Sequence, residues 1–156
     1  MEIINPVKVG VVGAGTCSEE ITKTAYAVGR GVAVRKALLV CGGLGGVMEA
    51  AAKGAREAGG ITVGILPGDN DTEANPYISI PIATGMGHAR NTLVVKASNV
   101  LIAVSGSYGT LSEIALALKM GKDVVGLHTW RNIAGVQHAE TAEEAVEKAF
   151  ALLSRS

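Results

Sequence analysis

Aromatic side chains are scarce in this chain: one Trp, three Tyr and one Phe make up 3% of its 156 residues. That argues against a nucleic-acid surface built from base-stacking platforms. An excess of charge of either sign is also missing. Fourteen Lys and Arg balance 14 Asp and Glu, for a formal net charge of zero, and no basic stripe marks a general nucleic-acid binder. Neutrality leaves room for a local phosphate site, which needs only a few donors. Cysteine is limited to Cys17 and Cys41, too few for a disulfide framework. Small buried side chains are their expected role, with a reactive thiol as the alternative. No apolar run approaches a membrane span, and MEIINPVKVG lacks the basic, apolar and cleavage segments of a secretory signal. A cytoplasmic chain with neither membrane nor nucleic acid as partner is expected.

What is abundant is small and apolar. Hydrophobic residues reach 48%, charged ones only 18%, and there are 21 glycines. The length suits one domain over residues 1–156 with a sizeable core. Apolar, β-branched runs alternate with Ala-rich helical patterns. Strands are expected at 7–12, 37–40, 61–66, 79–83, 100–104 and 123–127, the last of the series. Helices are expected at 19–34, 47–58, 87–97, 111–120 and 141–153, the final one opened by the capping box Thr141-Ala-Glu-Glu144. PGDNDTEANPY, residues 67–77, reads as a loop beside or over a ligand pocket. This order predicts an α/β fold, a three-layer, Rossmann-like, doubly wound and mainly parallel sheet with helices on both faces. Ligands of such folds bind beyond the C-terminal strand ends, so the loops there hold the candidate residues.

After the first strand, Gly13, Gly15 and Thr16 lie in GAGTCS. The dinucleotide fingerprint is incomplete: Ser18 stands where its third glycine belongs, and no acidic residue ends the second strand. After the second strand, Gly42, Gly43, Gly45 and Gly46 precede a helix. They could offer backbone amides to an anion or simply permit a tight turn and close packing. After 100–104 comes SGSYGTLSE. Gly106, Ser107, Gly109 and Thr110 place hydroxyls and first-turn amides at a helix mouth, a candidate phosphate site. Glu113 lies three residues beyond Thr110, the spacing of a capping box, so its carboxylate either caps the helix or faces the pocket. Gly121-Lys122 lacks the glycine spacing of a Walker A loop. His88, His128 and His138 are too isolated for a metal site. His128, Thr129 and Trp130 follow the 123–127 strand and reach either the site or, for Trp130, a neighbouring copy.

GLGGVMEAAAKGAREAGGITVGILPG, TGMGHARN and GSYGTLSEIALALKMGKDVVGL together resemble the molybdenum-cofactor-carrier-like proteins. That group belongs with the LONELY GUY phosphoribohydrolases, once labelled lysine decarboxylases, and its fold is shared with the DNA-processing-A-like proteins. The resemblance spans about Lys8 to Leu127. It implies a homo-oligomer, a dimer or tetramer, binding a small phosphorylated ligand at the strand ends. The phosphoribohydrolases carry Pro-Gly-Gly-x-Gly-Thr-x-x-Glu and an upstream Arg-Lys pair, with the arginine and glutamate catalytic. Gly106, Gly109, Thr110, Glu113 and Arg90 match. Ser105, Ser107 and Asn91 depart from that motif, and Ala-Arg-Asn is usual in the carrier-like branch. The resemblance therefore implies a carrier whose bound ligand is the molybdenum cofactor, a phosphorylated pterin, or a nucleotide, with no further cofactor required. The alternatives are a nucleoside 5′-monophosphate phosphoribohydrolase, with Glu113 and Arg90 catalytic, and a nucleotide-sensing module. On the resemblance Arg90 and Asn91 join the ligand-binding set, and Glu113 takes a pocket role with capping retained.

Overall fold

The computed structural model of the chain describes residues 5–155. Seven strands form one sheet: β1 (Lys8–Gly13), β2 (Leu38–Cys41), β3 (Thr62–Leu66), β4 (Ile80–Ala83), β5 (Val100–Val104), β6 (Asp123–Leu127) and β7 (Val136–Ala139). Their spatial order is β4-β3-β2-β1-β5-β6-β7, and every neighbouring pair is parallel. The connections include α1 (Glu19–Val34), α2 (Val47–Glu57), α3 (Arg90–Ala97), α4 (Tyr108–Lys119) and, after β7, α5 (Ala142–Leu153). This is the doubly wound, three-layer, Rossmann-like arrangement expected from the alternation of strand and helix.

The central strands are apolar on both faces because both are covered. Along β5, Val100, Ile102 and Val104 join α1, α2 and α5 in one core, while Leu101 and Ala103 join α3 and α4 in the other. The small-residue composition has a direct use where α1 crosses α2. A Cβ on Gly29 would overlap the Ala51 carbonyl, and one on Gly54 would overlap that of Tyr26. The two helices therefore meet backbone to backbone. Ser18 caps α1, its hydroxyl accepting from Ile21 N at 3.2 Å. Lys122 closes α3 from outside, its ammonium donating to the carbonyls of Val95, Lys96 and Ser98 at 2.8, 2.7 and 2.5 Å.

Four local expectations need correction. The strand at 123–127 is not the last, because β7 follows and pairs with β6. Its sequence, VQHA, buries only Ala139, so pairing at the sheet edge forms it with almost no hydrophobic signature. The helix expected from Leu111 begins at Tyr108, with Ser107 at its N-cap and no side-chain capping bond. Glu113 therefore lies beyond the first turn and does not cap. The helix expected over 87–97 divides into a 3-10 turn, Gly87–Ala89, and α3. At α5 the Thr141 hydroxyl accepts from Glu144 N at 3.1 Å, while Glu144 Oε2 accepts from Glu140 N at 3.0 Å, one residue before the expected partner.

Candidate functional site

The chain builds outward from β1 to β4, then returns to place β5 against the other side of β1. Adjacent connections thus diverge between β1 and β5, the place where parallel sheets leave a crevice for ligands. A cleft of about 140 Å³ opens there, lined by the turns after β1, β2 and β5 and by the start of α3.

The turn after β5 is sharp. Ser105 has φ 53° and Gly106 φ 104°, and the side chain of Thr110 occupies the space a Gly106 Cβ would need. This bend throws the start of α4 across the strand ends. The first intrahelical bond runs from Leu111 N to Ser107 O, 2.9 Å. The amides of Tyr108, Gly109 and Thr110 therefore have no partner inside the helix, and the partial positive charge of the helix N-terminus adds to them. Ser107, Gly109 and Thr110 line the cleft. Beside Gly109 and Gly15, which both line it, a Cβ would meet only open space.

Arg90 forms the charged part of the cleft wall. It is 8% exposed, yet it borders the cleft. Its Nε donates to Ile65 O at 2.9 Å, Nη1 to Asn91 Oδ1, and Nη2 to Gly42 O at 3.4 Å. A Cβ at Gly42 would come within 2.7 Å of Nη2, so glycine at 42 is what lets the guanidinium lie against the backbone. Asn91 completes the cluster through Nδ2 to Ser112 Oγ, 3.5 Å. Burial lowers the pKa of Arg90, opposed by the nearby Glu113 and Cys41; the guanidinium remains charged.

Glu113, on α4, is 7% exposed and faces the same cleft. Burial pushes its carboxyl up to about 7, against the opposing pull of Arg90. Near neutrality it therefore exists as both acid and carboxylate. Cys41 lies at the end of β2, and burial raises its thiol to about 11. Its sulfur accepts from Gly43 N at 3.4 Å. Such a thiol is a packing group, without thiolate at neutral pH.

The structure brings Gly13, Gly15, Gly42, Arg90, Asn91, Ser107, Gly109, Thr110 and Glu113 to this one cleft. The remaining candidates lie elsewhere. A Cβ on Gly43 would meet Leu66 at 2.5 Å, one on Gly45 would meet Gly15 O at 3.2 Å, and one on Gly46 would overlap the Ala14 carbonyl. These three glycines pack their loop against β3 and the turn after β1. Gly106 serves the bend. Thr16 and Gly46 border a neighbouring cleft of about 410 Å³, which also meets Gly15. The 67–77 segment, expected beside or over the pocket, clamps the glycine loop instead: Asn75 Nδ2 donates to Gly43 O and Leu44 O at 3.3 and 2.8 Å. Its Tyr77 borders the neighbouring cleft.

His88 and Met48 also line the cleft and were missed from the sequence. In the sequence, the position of His88 two residues before Arg90 is the available signal. Among the described residues no group of three or more His, Cys, Asp or Glu is placed to hold a metal, and no helix is long and apolar enough to cross a membrane.

A model of the SLOG cluster4 family matches residues 6–152. The chain belongs to the SLOG cluster4 family. Within 139 aligned residues it is 52% identical to an uncharacterized protein of Archaeoglobus fulgidus, covering 89% of this chain and 91% of that one. The molybdenum cofactor binding protein of the phototrophic bacterium Rippkaea orientalis superposes with a TM-score of 0.91 at 35% identity, covering 97% of this chain and 99% of that one. The Moco carrier protein of Chlamydomonas reinhardtii superposes at 0.90 with 37% identity, covering 97% and 100%. This SLOG cluster4 chain thus has molybdenum cofactor carrier and binding proteins as structural neighbours, in keeping with the resemblance of its three loop motifs.

Proposed function

We propose that this chain binds the phosphorylated end of a nucleotide-like ligand in the Arg90 cleft and acts as a carrier of the molybdenum cofactor. Arg90 carries the reading. A guanidinium has five N–H donors, and three of them engage Ile65, Asn91 and Gly42. Two remain for a ligand. The cation is desolvated, and the acidic group that acts on it most strongly, Glu113, is only partly ionised near neutrality. An anion would complete it, and a phosphate would also take the free amides of α4. The donor set fits the phosphate of a phosphopterin, with the molybdenum as cargo outside this small cleft. The likeness to the Rippkaea and Chlamydomonas proteins supports that choice of ligand. The same reading has copies of the chain associate, supported by Ile80 and Ile82, exposed on the edge strand β4; sedimentation measures this.

Calorimetric titration with anaerobically prepared molybdopterin tests the carrier reading. Arg90→Ala should lose on the order of 2 kcal/mol of affinity, about thirtyfold, with far-ultraviolet dichroism confirming the fold. Equal affinity in the variant would remove Arg90 from the site.

One observation favours a second reading. Glu113 places a carboxyl with no hydrogen-bond donor among the described residues in the cleft that holds Arg90. In a phosphoribohydrolase the bond from C1′ of ribose to the base breaks with positive charge on the sugar. Water forms the new C1′–O bond, the Glu113 carboxylate accepts its proton, and the departing base takes up a proton. Base release from nucleoside 5′-monophosphates that disappears in Glu113→Gln would establish this reaction; no release, with binding intact, leaves the carrier.

A further inference from the structure

Two of the chain's five aromatic rings stand together at the rim of the cleft. Tyr108 is 80% exposed, although both of its neighbours, Ser107 and Gly109, line the cleft. Trp130, in the turn after β6, rests on the core beneath α3 and α4. Its Nε1 donates to Ser107 O at 3.0 Å. Thr129 Oγ1 donates to Ser105 O at 2.7 Å. These bonds fix the indole against the segment that borders the cleft. The centroids of Tyr108 and Trp130 lie 5.8 Å apart, with planes tilted by 38°. A tyrosine this exposed gains little from folding, yet it stands beside an anchored indole at the mouth of a polar hole.

The size of the hole says what must lie outside it. About 140 Å³ is well below the roughly 300–1,000 Å³ that encloses a drug-sized ligand. The cleft admits a phosphate and leaves the rest of a nucleotide-like molecule at the rim. The other exit is the neighbouring cleft, whose walls include Glu49 and Lys53. The one ring there, Tyr77, already faces the Lys53 ammonium at 5.9 Å. On the Tyr108 side two aromatic rings are offered.

We propose that Tyr108 and Trp130 form a stacking shelf for the fused heteroaromatic ring, purine or pterin, of a ligand whose phosphate lies in the Arg90 cleft. This rests on the phosphate reading of that cleft. Rings of this class stack on aromatic side chains through their π-faces, whatever their edge substituents. The shelf therefore gives affinity for a flat ring, and the cleft gives the requirement for phosphate.

The test compares guanosine 5′-monophosphate, whose ring shares its amino-oxo pyrimidine edge with pterins, with ribose 5-phosphate. Trp130 is the only tryptophan, so its fluorescence reports directly on the shelf. The nucleotide should quench it and bind about tenfold more tightly than the sugar phosphate. Tyr108→Ala should remove most of that advantage, while Tyr108→Phe, which retains the ring, keeps it. Equal binding of the two ligands to the wild type, still dependent on Arg90, would overturn the shelf and spare the cleft. Binding of neither would overturn both. Loss of the advantage in Tyr77→Ala instead of Tyr108→Ala would move the ring to the neighbouring cleft and overturn the shelf. Loss of self-association in Tyr108→Ala with ligand affinities untouched would assign the pair to an interface between copies, also overturning it.

Discussion

Replacing Glu113 by Gln should change how stability depends on pH, in a direction set by burial. The carboxyl stands at about 7 in the folded protein against 4.5 when free in solvent. Below 4.5 it is neutral in both states and costs nothing. Between 4.5 and about 7 the unfolded chain ionises first, so the folded state holds the extra proton and stability falls as pH rises. Above about 7 both states are ionised and the full cost persists. A displacement of this size corresponds to about 3 kcal/mol. Glutamine carries no such burden. The stability of wild type minus that of Glu113→Gln should therefore drop by about 3 kcal/mol across this window and then level off. For a chain of this length that is about 6–12 °C in Tm. Urea unfolding followed by dichroism, at about pH 5 and about pH 8, measures it, and all other titrating groups cancel in the difference. Parallel profiles would refute the reasoning: the carboxyl would then be solvated, without the desolvated neighbourhood that makes it half-protonated at neutrality.

Other outcomes follow from the same geometry. Gly109 is an ordinary helical position with open space beside it, so Gly109→Ala should hold or raise stability by about 0.5–1 kcal/mol. Its methyl group enters the cleft, so affinity for ribose 5-phosphate should fall; a variant that is both stable and fully competent in binding would place the ligand elsewhere. In a thiol-reagent assay the half-buried Cys17 should react in the native protein, while Cys41, buried with its thiol at about 11, should react only on unfolding. Two fast-reacting thiols under native conditions would contradict the packing of β2.

Much of the fold was legible along the chain because its signals are local. The short, continuously apolar run Val100–Val104 reads as a strand buried on both faces, and the alternation of such runs with Ala-rich helices implies a parallel sheet with covered faces. Thr141 announces the start of α5 by its own side chain, which accepts from Glu144 N. The strand-end rule points to the loop that holds Thr110 and Glu113, whereas Arg90 is marked only by the resemblance of TGMGHARN to the carrier-like proteins. β7 was invisible because VQHA earns its place by pairing with β6 rather than by burial.

What only the tertiary structure decided concerns which groups meet. Thr110-x-x-Glu113 has the spacing of a capping box, and spacing cannot tell that α4 begins at Tyr108 and turns the carboxyl into the cleft. Four glycines at 42–46 look alike in sequence. Only Gly42 borders Arg90, since the identity of each neighbour, Leu66 or Ala14 or the guanidinium, is set by distant segments. Trp130 and Ser107 are 23 residues apart and meet because β6 pairs beside β5. Periodicity and capping act over a few residues, so the sequence determined the elements and their order. Long-range pairing and desolvation depend on the assembled sheet, so only the fold determined the charge state of Glu113 and the company of Arg90.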